Sequence, residues 1–152
     1  MKVRTSIAAT AAAAATAAAL VGAGTFMLPA AASARPVTHT LQFISVTKAA
    51  TNFTASTGAQ QDTDVNSAGK VVGYDMLYFK IVSRTTAAVN ITGATNGGML
   101  YATGKVNLKN SAFSDGKVTG GTGAFKGATG TLTATILNKA GTRTLVKIVY
   151  HT

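Results

Sequence analysis

The chain holds few residues able to do chemistry, and their spacing narrows the options further. Asp62, Asp64, Asp75 and Asp115 are its only carboxylate side chains, beside two histidines and no cysteine. Without a thiol there is no cysteine nucleophile and no thiolate metal site. Asp75 lies within Gly73-Tyr74-Asp75-Met76-Leu77-Tyr78-Phe79, where burial among apolar neighbours would shift its pKa. The competing reading is an Asp buried for structural reasons and paired to a Lys or to backbone amides. Asp75, Tyr78 and Tyr101 are the catalytic candidates, and Tyr74 and Tyr150 the candidates for ligand contact, because an inward phenol supplies a polar handle to an apolar interior. Asp62 and Asp64 are two apart, which would place both on one side of an extended strand. They fall in the polar stretch 54–67, however, which reads as a solvated loop with too few ligands for a metal. Asp115 precedes Gly116 and reads as a turn residue. His39 and His151 begin a zinc set but leave it short of the three protein ligands a catalytic zinc uses; they read as surface residues. No G-x-S-x-G nucleophile elbow occurs. Neither a metal nor a cofactor is expected.

The elements that would position these residues begin after a leader. Lys2 and Arg4 precede an Ala-rich apolar run from Ile7 to Leu28, and Ala32-Ser33-Ala34 follows Pro29. A positive start, an apolar middle and an A-x-A end make a secretory signal peptide. A membrane anchor is the alternative, weakened by the low hydrophobicity of Ala and by Pro29. Residues 1–34 are therefore expected to be cleaved after about Ala34 and residues 35–152 to be secreted as a single domain. That segment carries 12 Lys and Arg against four Asp, a net charge of +8. The basic residues form no dense run and no aromatic interleaving, so no specific nucleic-acid partner is expected. A weak attraction to anionic cell-wall or membrane surfaces is consistent with the charge.

Period-two patterns dominate the rest. Leu100, Ala102, Gly104, Val106 and Leu108 share one face, and Leu132, Ala134 and Ile136 another. Thr144, Val146, Ile148 and Tyr150 oppose Arg143, Lys147 and His151. Such alternation marks half-buried strands. Val71 to Val82 is apolar on both faces, as where a strand is covered on each side. Leu41–Val46 and Thr85–Ile91 are further candidates, and Asn138-Lys139-Ala140-Gly141 reads as the hairpin loop before the last strand. No helical period appears. Many short strands with Gly-rich turns point to an all-β barrel or sandwich.

The most distinctive stretch is Val118-Thr119-Gly120-Gly121-Thr122-Gly123-Ala124-Phe125-Lys126-Gly127-Ala128-Thr129-Gly130-Thr131. Its glycines have the wrong spacing for a phosphate loop, and alternating Thr follows instead of a helix. They read instead as sites of positive φ and close backbone approach where a strand bends, with Phe125 plugging one end of a core. The stretch resembles the V-x-G-G-T-G-x-F/Y-x-x-A-x-G signature of the dirigent and allene oxide cyclase barrel superfamily. Gly69-Lys70-Val71-Val72-Gly73 is similar to that group's strand-opening G-K-x-V-G, and Leu145 to His151 to its closing strand. The three matches fall in order and cover roughly residues 39–151.

The resemblance implies a single antiparallel, calycin-like β-barrel of about eight strands, a lumen that takes a hydrophobic small molecule, and a trimer. It also implies, in dirigent proteins, lumen carboxylates and an Arg. Leu41-Gln42-Phe43-Ile44-Ser45 offers no acid on the first strand, Thr129 stands at the Arg position, and Ala124 where an acid can precede the aromatic. The leading expectation is thus a secreted, non-enzymatic barrel that binds an apolar small molecule. One alternative is an isomerase or coupling enzyme with a non-standard polar set. Another is a cationic cell-surface interaction protein.

Overall fold

The computed structural model describes residues 36–152; the expected signal segment, 1–34, lies outside the described residues. Eight strands follow one another: β1 (Thr38–Asn52), β2 (Thr57–Val65), β3 (Val71–Ser83), β4 (Thr86–Thr95), β5 (Gly98–Asn107), β6 (Phe113–Gly121), β7 (Thr129–Ile136) and β8 (Arg143–His151). Each pairs antiparallel with the next, and β8 pairs back onto β1 from Thr38↔His151 to Val46↔Arg143. The sheet is a closed eight-stranded antiparallel β-barrel, as the resemblance implies. Closure pairs every strand on both sides, although β6 and β7 meet only at Lys117↔Thr131 and Val118↔Gly130, and it suits a chain without disulfides.

The inward faces follow the predicted alternation. Leu100 and Ala102 on β5, Val118 on β6, Leu132 on β7, and Val146 and Ile148 on β8 form the buried cluster. Phe125, in the short 3-10 turn Gly123–Phe125, caps that cluster and meets Tyr150 edge-on at 5.5 Å. The glycine motif forms the end of β6 and this turn. Gly123 has φ of 59°, and a side chain there would run into the Gly97 carbonyl, so both conformation and space demand glycine. Even so, no large side chain is completely buried among the described residues. The core is a lining around a hollow, not a solid plug.

Four expectations fail in detail. The stretch 54–67 is not a solvated loop: Thr57–Val65 is β2, paired to β1 and β3 along its length. Its inward side is Gly58, Gln60, Asp62 and Asp64, so no apolar alternation advertised the strand. β3 is not covered on both sides, since Val72, Tyr74, Met76 and Tyr78 on its outer face are exposed. Asp115 is not in an inter-strand turn. It lies inside β6 with φ of 54°, beside a register shift between Thr103 and Lys105, and its Oδ2 accepts from Lys105 Nζ at 2.8 Å. Leu108 lies past the end of β5 and is exposed, though it still lines the lumen mouth beside Val106.

Candidate functional site

Strand pairing gathers one polar patch on the otherwise apolar lumen wall. Ser45 lies opposite Asp64, and Thr47 opposite Asp62, across β1 and β2. Asp62 in turn lies opposite Asp75 across β2 and β3. Because inward positions recur every second residue, Gln60, Asp62 and Asp64 line up along β2 and face the lumen together. Glycines flank them: Gly73 is opposite Asp64, and Gly93 on β4 is opposite Asp75. A side chain at Gly73 would press on the Ala94 carbonyl and on Asp64 Oδ2. At Gly93, a Cβ would meet nothing nearer than the Leu100 carbonyl at 4.0 Å. The second glycine therefore leaves open space beside the carboxylates.

The donors are unevenly shared. Gln60 Nε2 donates to both Asp62 oxygens, at 3.0 and 2.9 Å, and to Thr47 Oγ1 at 3.0 Å. The Ser45 hydroxyl reaches Asp62 Oδ2 at 2.8 Å and Asp75 Oδ2 at 3.1 Å, yet it has a single proton to give. Asp64, 2 % exposed, has no partner at all for Oδ1. A buried carboxylate left unpaired is costly, so the group takes up a proton instead. Burial first, and the neighbouring charge of Asp75 second, push the Asp64 carboxyl up to about 8. Asp75 is also pushed up, by burial and then by the charge of Asp62, while hydrogen bonds from Asp64 and Ser45 pull the other way. Their mutual hydrogen bond raises Asp64 and lowers Asp75, the direction expected when Asp64 carries the proton.

The patch opens on a hollow. A cavity of about 100 Å³ is lined by the three carboxylates together with apolar residues such as Leu41, Phe43, Leu77 and Ile91. A second, of about 290 Å³, continues from it toward the mouth at the β5–β6 and β7–β8 loops, sharing Gln60, Leu77, Phe113, Ala134 and Thr144. A third, of about 410 Å³, lies at the other mouth and shares Leu41, Phe43, Asp64 and Thr95. No Lys, Arg or His lines any of the three. Three carboxylates on an apolar wall, one holding its proton near neutrality, can orient a hydrogen-bonding ligand or exchange a proton with it.

The candidates from the sequence divide cleanly. Asp75 faces the lumen and is half-buried. Tyr78 and Tyr101 do not join it: both alternate outward on their strands and are exposed, as is Tyr74. Tyr78 stacks on Phe53 at 6.4 Å on the outer surface. Tyr150 does point inward, buried between Phe125 and His39 at one end of the barrel. Closure brings the histidines to neighbouring strands, where His39 stacks on Tyr150 and His151 Nδ1 lies 2.9 Å from Thr38 Oγ1. Among the described residues no group of three or more His, Cys, Asp or Glu is placed to hold a metal. Sequence reasoning missed Ser45, Gln60, Asp62 and Asp64. The one signal was the i, i+2, i+4 run of Gln60, Asp62 and Asp64, whose two acids were seen as a possible strand face.

No protein-family model matches the chain, and no curated protein does. Solved structures do. The pterocarpan synthase dirigent protein GePTS1 is 19 % identical, with a TM-score of 0.60, over 84 % of this chain and 98 % of its own. The pterocarpan synthase dirigent protein PsPTS1 is 18 % identical, with a TM-score of 0.60, over 76 % of this chain and 95 % of its own. At such identities the likeness is one of fold, and it spans nearly the whole of both relatives. The structure is a dirigent-like β-barrel.

Proposed function

We propose that the barrel binds an apolar small molecule in its lumen, with the polar end of that molecule set against Ser45, Asp62, Asp64 and Asp75. One observation carries the reading: Asp64, whose buried Oδ1 has no partner among the described residues, lines a hollow whose walls are mostly apolar. Ligand sites commonly have this form, an apolar pocket with a few convergent polar groups. Native mass spectrometry of the purified protein tests it, with Gly93→Leu as control. A Cβ there meets nothing nearer than 4.0 Å, so leucine is expected to occupy the space beside the carboxylates. A bound mass carried by the wild type and lost from Gly93→Leu supports the reading. A wild-type protein that takes up no apolar molecule from a mixed panel refutes it.

A second reading, an isomerase or coupling enzyme, is favoured by the Asp64–Asp75 pair. The Asp64 carboxyl is pushed up to about 8, and hydrogen bonds from Asp64 and Ser45 pull down Asp75 beside it against its burial; two carboxyls in unlike environments suit general acid–base work on a bound substrate. The two structural relatives carry the name synthase, which supports chemistry inside a barrel of this shape. The polar set here is Asp64, Asp75 and Ser45 rather than the tyrosines. Turnover of the co-purified molecule that falls at least a hundredfold in Asp64→Asn with binding retained supports catalysis, the lower end of what a general acid contributes being about that factor. Unchanged turnover in both Asp64→Asn and Asp75→Asn removes it. Export through residues 1–34 belongs to the same proposal, and recovery of the processed chain from the medium is its test.

A further inference from the structure

Charge is sorted radially in this barrel. Each of the eleven Lys and Arg side chains from Lys48 to Lys147 is exposed, while three of the four Asp face the lumen. The lumen lining holds no cation to answer them, and Asp64 Oδ1, almost wholly buried, has no donor. A protein of net positive charge thus encloses a site of the opposite sign.

On these observations we propose that the lumen is selective for the sign of its ligand: it takes an apolar organic cation, a primary or secondary alkyl- or arylalkyl-ammonium, and rejects apolar carboxylates. The inference rests on the lumen-binding reading above and names the class of ligand. An ammonium group brings the N–H donor that Asp64 Oδ1 lacks, and charge-assisted hydrogen bonds of this kind are short and strong. Burial of the carboxylates is already met in folding, so the ligand faces only its own desolvation, against groups fixed in place. A ligand carboxylate would meet like charge with no cation near, which costs affinity steeply in a low-dielectric site. The apolar wall of Leu41, Phe43, Leu77 and Ile91 accommodates the hydrocarbon part, continuing into the cavity of about 290 Å³. A bare metal ion fits less well, because the carboxylates are not placed as a ligand set and most of the lining is apolar.

Proton linkage gives a second readout. The titratable groups facing Asp64 are Asp62 on its own strand and Asp75 on β3; β1 and β4 contribute only Ser45, Gly93, Thr95 and apolar side chains. An ammonium bound there favours the ionised carboxylates, so its affinity rises with pH through the range where Asp64 releases its proton. The affinity of a neutral ligand does not rise.

The experiment compares octylamine, octan-1-ol and octanoate on the full chain by titration calorimetry at pH 6 and pH 8. Octylamine is expected to bind about tenfold or more tighter than octanol, in keeping with a charge-assisted hydrogen bond, more tightly at pH 8 than at pH 6, and octanoate not measurably. Asp64→Asn/Asp75→Asn is expected to bring octylamine down to the octanol value, and Gly93→Leu to abolish both. Octanol binding as tightly as octylamine, or octanoate binding as well as either, overturns the charge selectivity and leaves lumen binding standing. Octylamine binding that survives Gly93→Leu places it on the surface and also overturns the proposal. Failure of all three probes on the wild type overturns lumen binding itself.

Discussion

Replacing Asp64 by Asn should make the barrel more stable, and only above about pH 4. The unfolded chain releases the Asp64 proton near the ordinary value of 3.8, and the folded chain near 8. Between those values the unfolded state binds fewer protons, so stability is whole below pH 4, falls as pH rises, and stops falling once the folded carboxyl ionises. Each tenfold change in the proton equilibrium is worth about 1.4 kcal/mol, so the full interval from 3.8 to about 8 sets a ceiling of about 6 kcal/mol. Partial solvent screening reduces this, which brings the expected loss to about 2–3 kcal/mol. Asparagine cannot ionise, keeps the shape, and still donates toward Asp75. Urea unfolding of both proteins at pH 4, 6 and 8 reads the difference directly. The two should coincide at pH 4, and the variant should lead by about 2–3 kcal/mol at pH 8. A difference that does not change with pH, or a variant less stable at pH 8, would refute the assignment of a raised pKa to this residue.

Three further outcomes separate the lumen from the rest of the molecule. Phe125→Ala, at the end of the core cluster where Phe125 is 4 % exposed, should cost about 3–4 kcal/mol in chemical denaturation; a loss below about 1 kcal/mol would mean the turn does not cap the core. Gly123→Ala should cost about 1–3 kcal/mol, because the position has φ of 59° and no room before the Gly97 carbonyl, and thermal melts would show it. Tyr78→Ala and Tyr101→Ala, both on the outer face, should leave the affinity of any lumen ligand unchanged within a factor of about two. A larger loss in calorimetry would reinstate them at the site.

How much of this was legible depended on whether a strand had an apolar side to show. β5, β7 and β8 announced themselves because Leu100, Ala102, Leu132, Val146 and Ile148 recur every second residue, and those residues form the core. The glycine stretch carried the resemblance, and the fold comparison bears that out. β2 was hidden for a physical reason. Its inward face is Gly58, Gln60, Asp62 and Asp64 and its outward face Ala59, Gln61 and Thr63, so hydrophobic alternation vanished where the lumen is polar. The sequence signal for a strand is burial of apolar surface, and a strand that buries hydrogen-bonding groups instead gives none. The tyrosines misled in the opposite sense. Tyr74 and Tyr78 share a parity with Met76 and Val72, all exposed, while Asp75 and Leu77 take the other. With both faces of β3 apolar, parity alone did not say which side was in.

The placement of the acids supports the proposed lumen site. Asp62 and Asp75 lie directly opposite each other on neighbouring strands, an arrangement that costs stability when both carry charge. Asp64 adds a third carboxyl with one oxygen left unpaired. Folding alone favours apolar residues at such sites, since replacing buried charge with well-packed hydrocarbon is often neutral or stabilising. This chain could have sent its acids outward, where eleven exposed cations offer partners, as Asp115 does with Lys105. Instead it holds three of four on adjacent strands around one opening, with glycine opposite Asp64 and Asp75. A cluster of carboxyls facing open space, in a barrel most of whose other lumen-lining residues are apolar, is costly to the fold and is what the proposed lumen site would need.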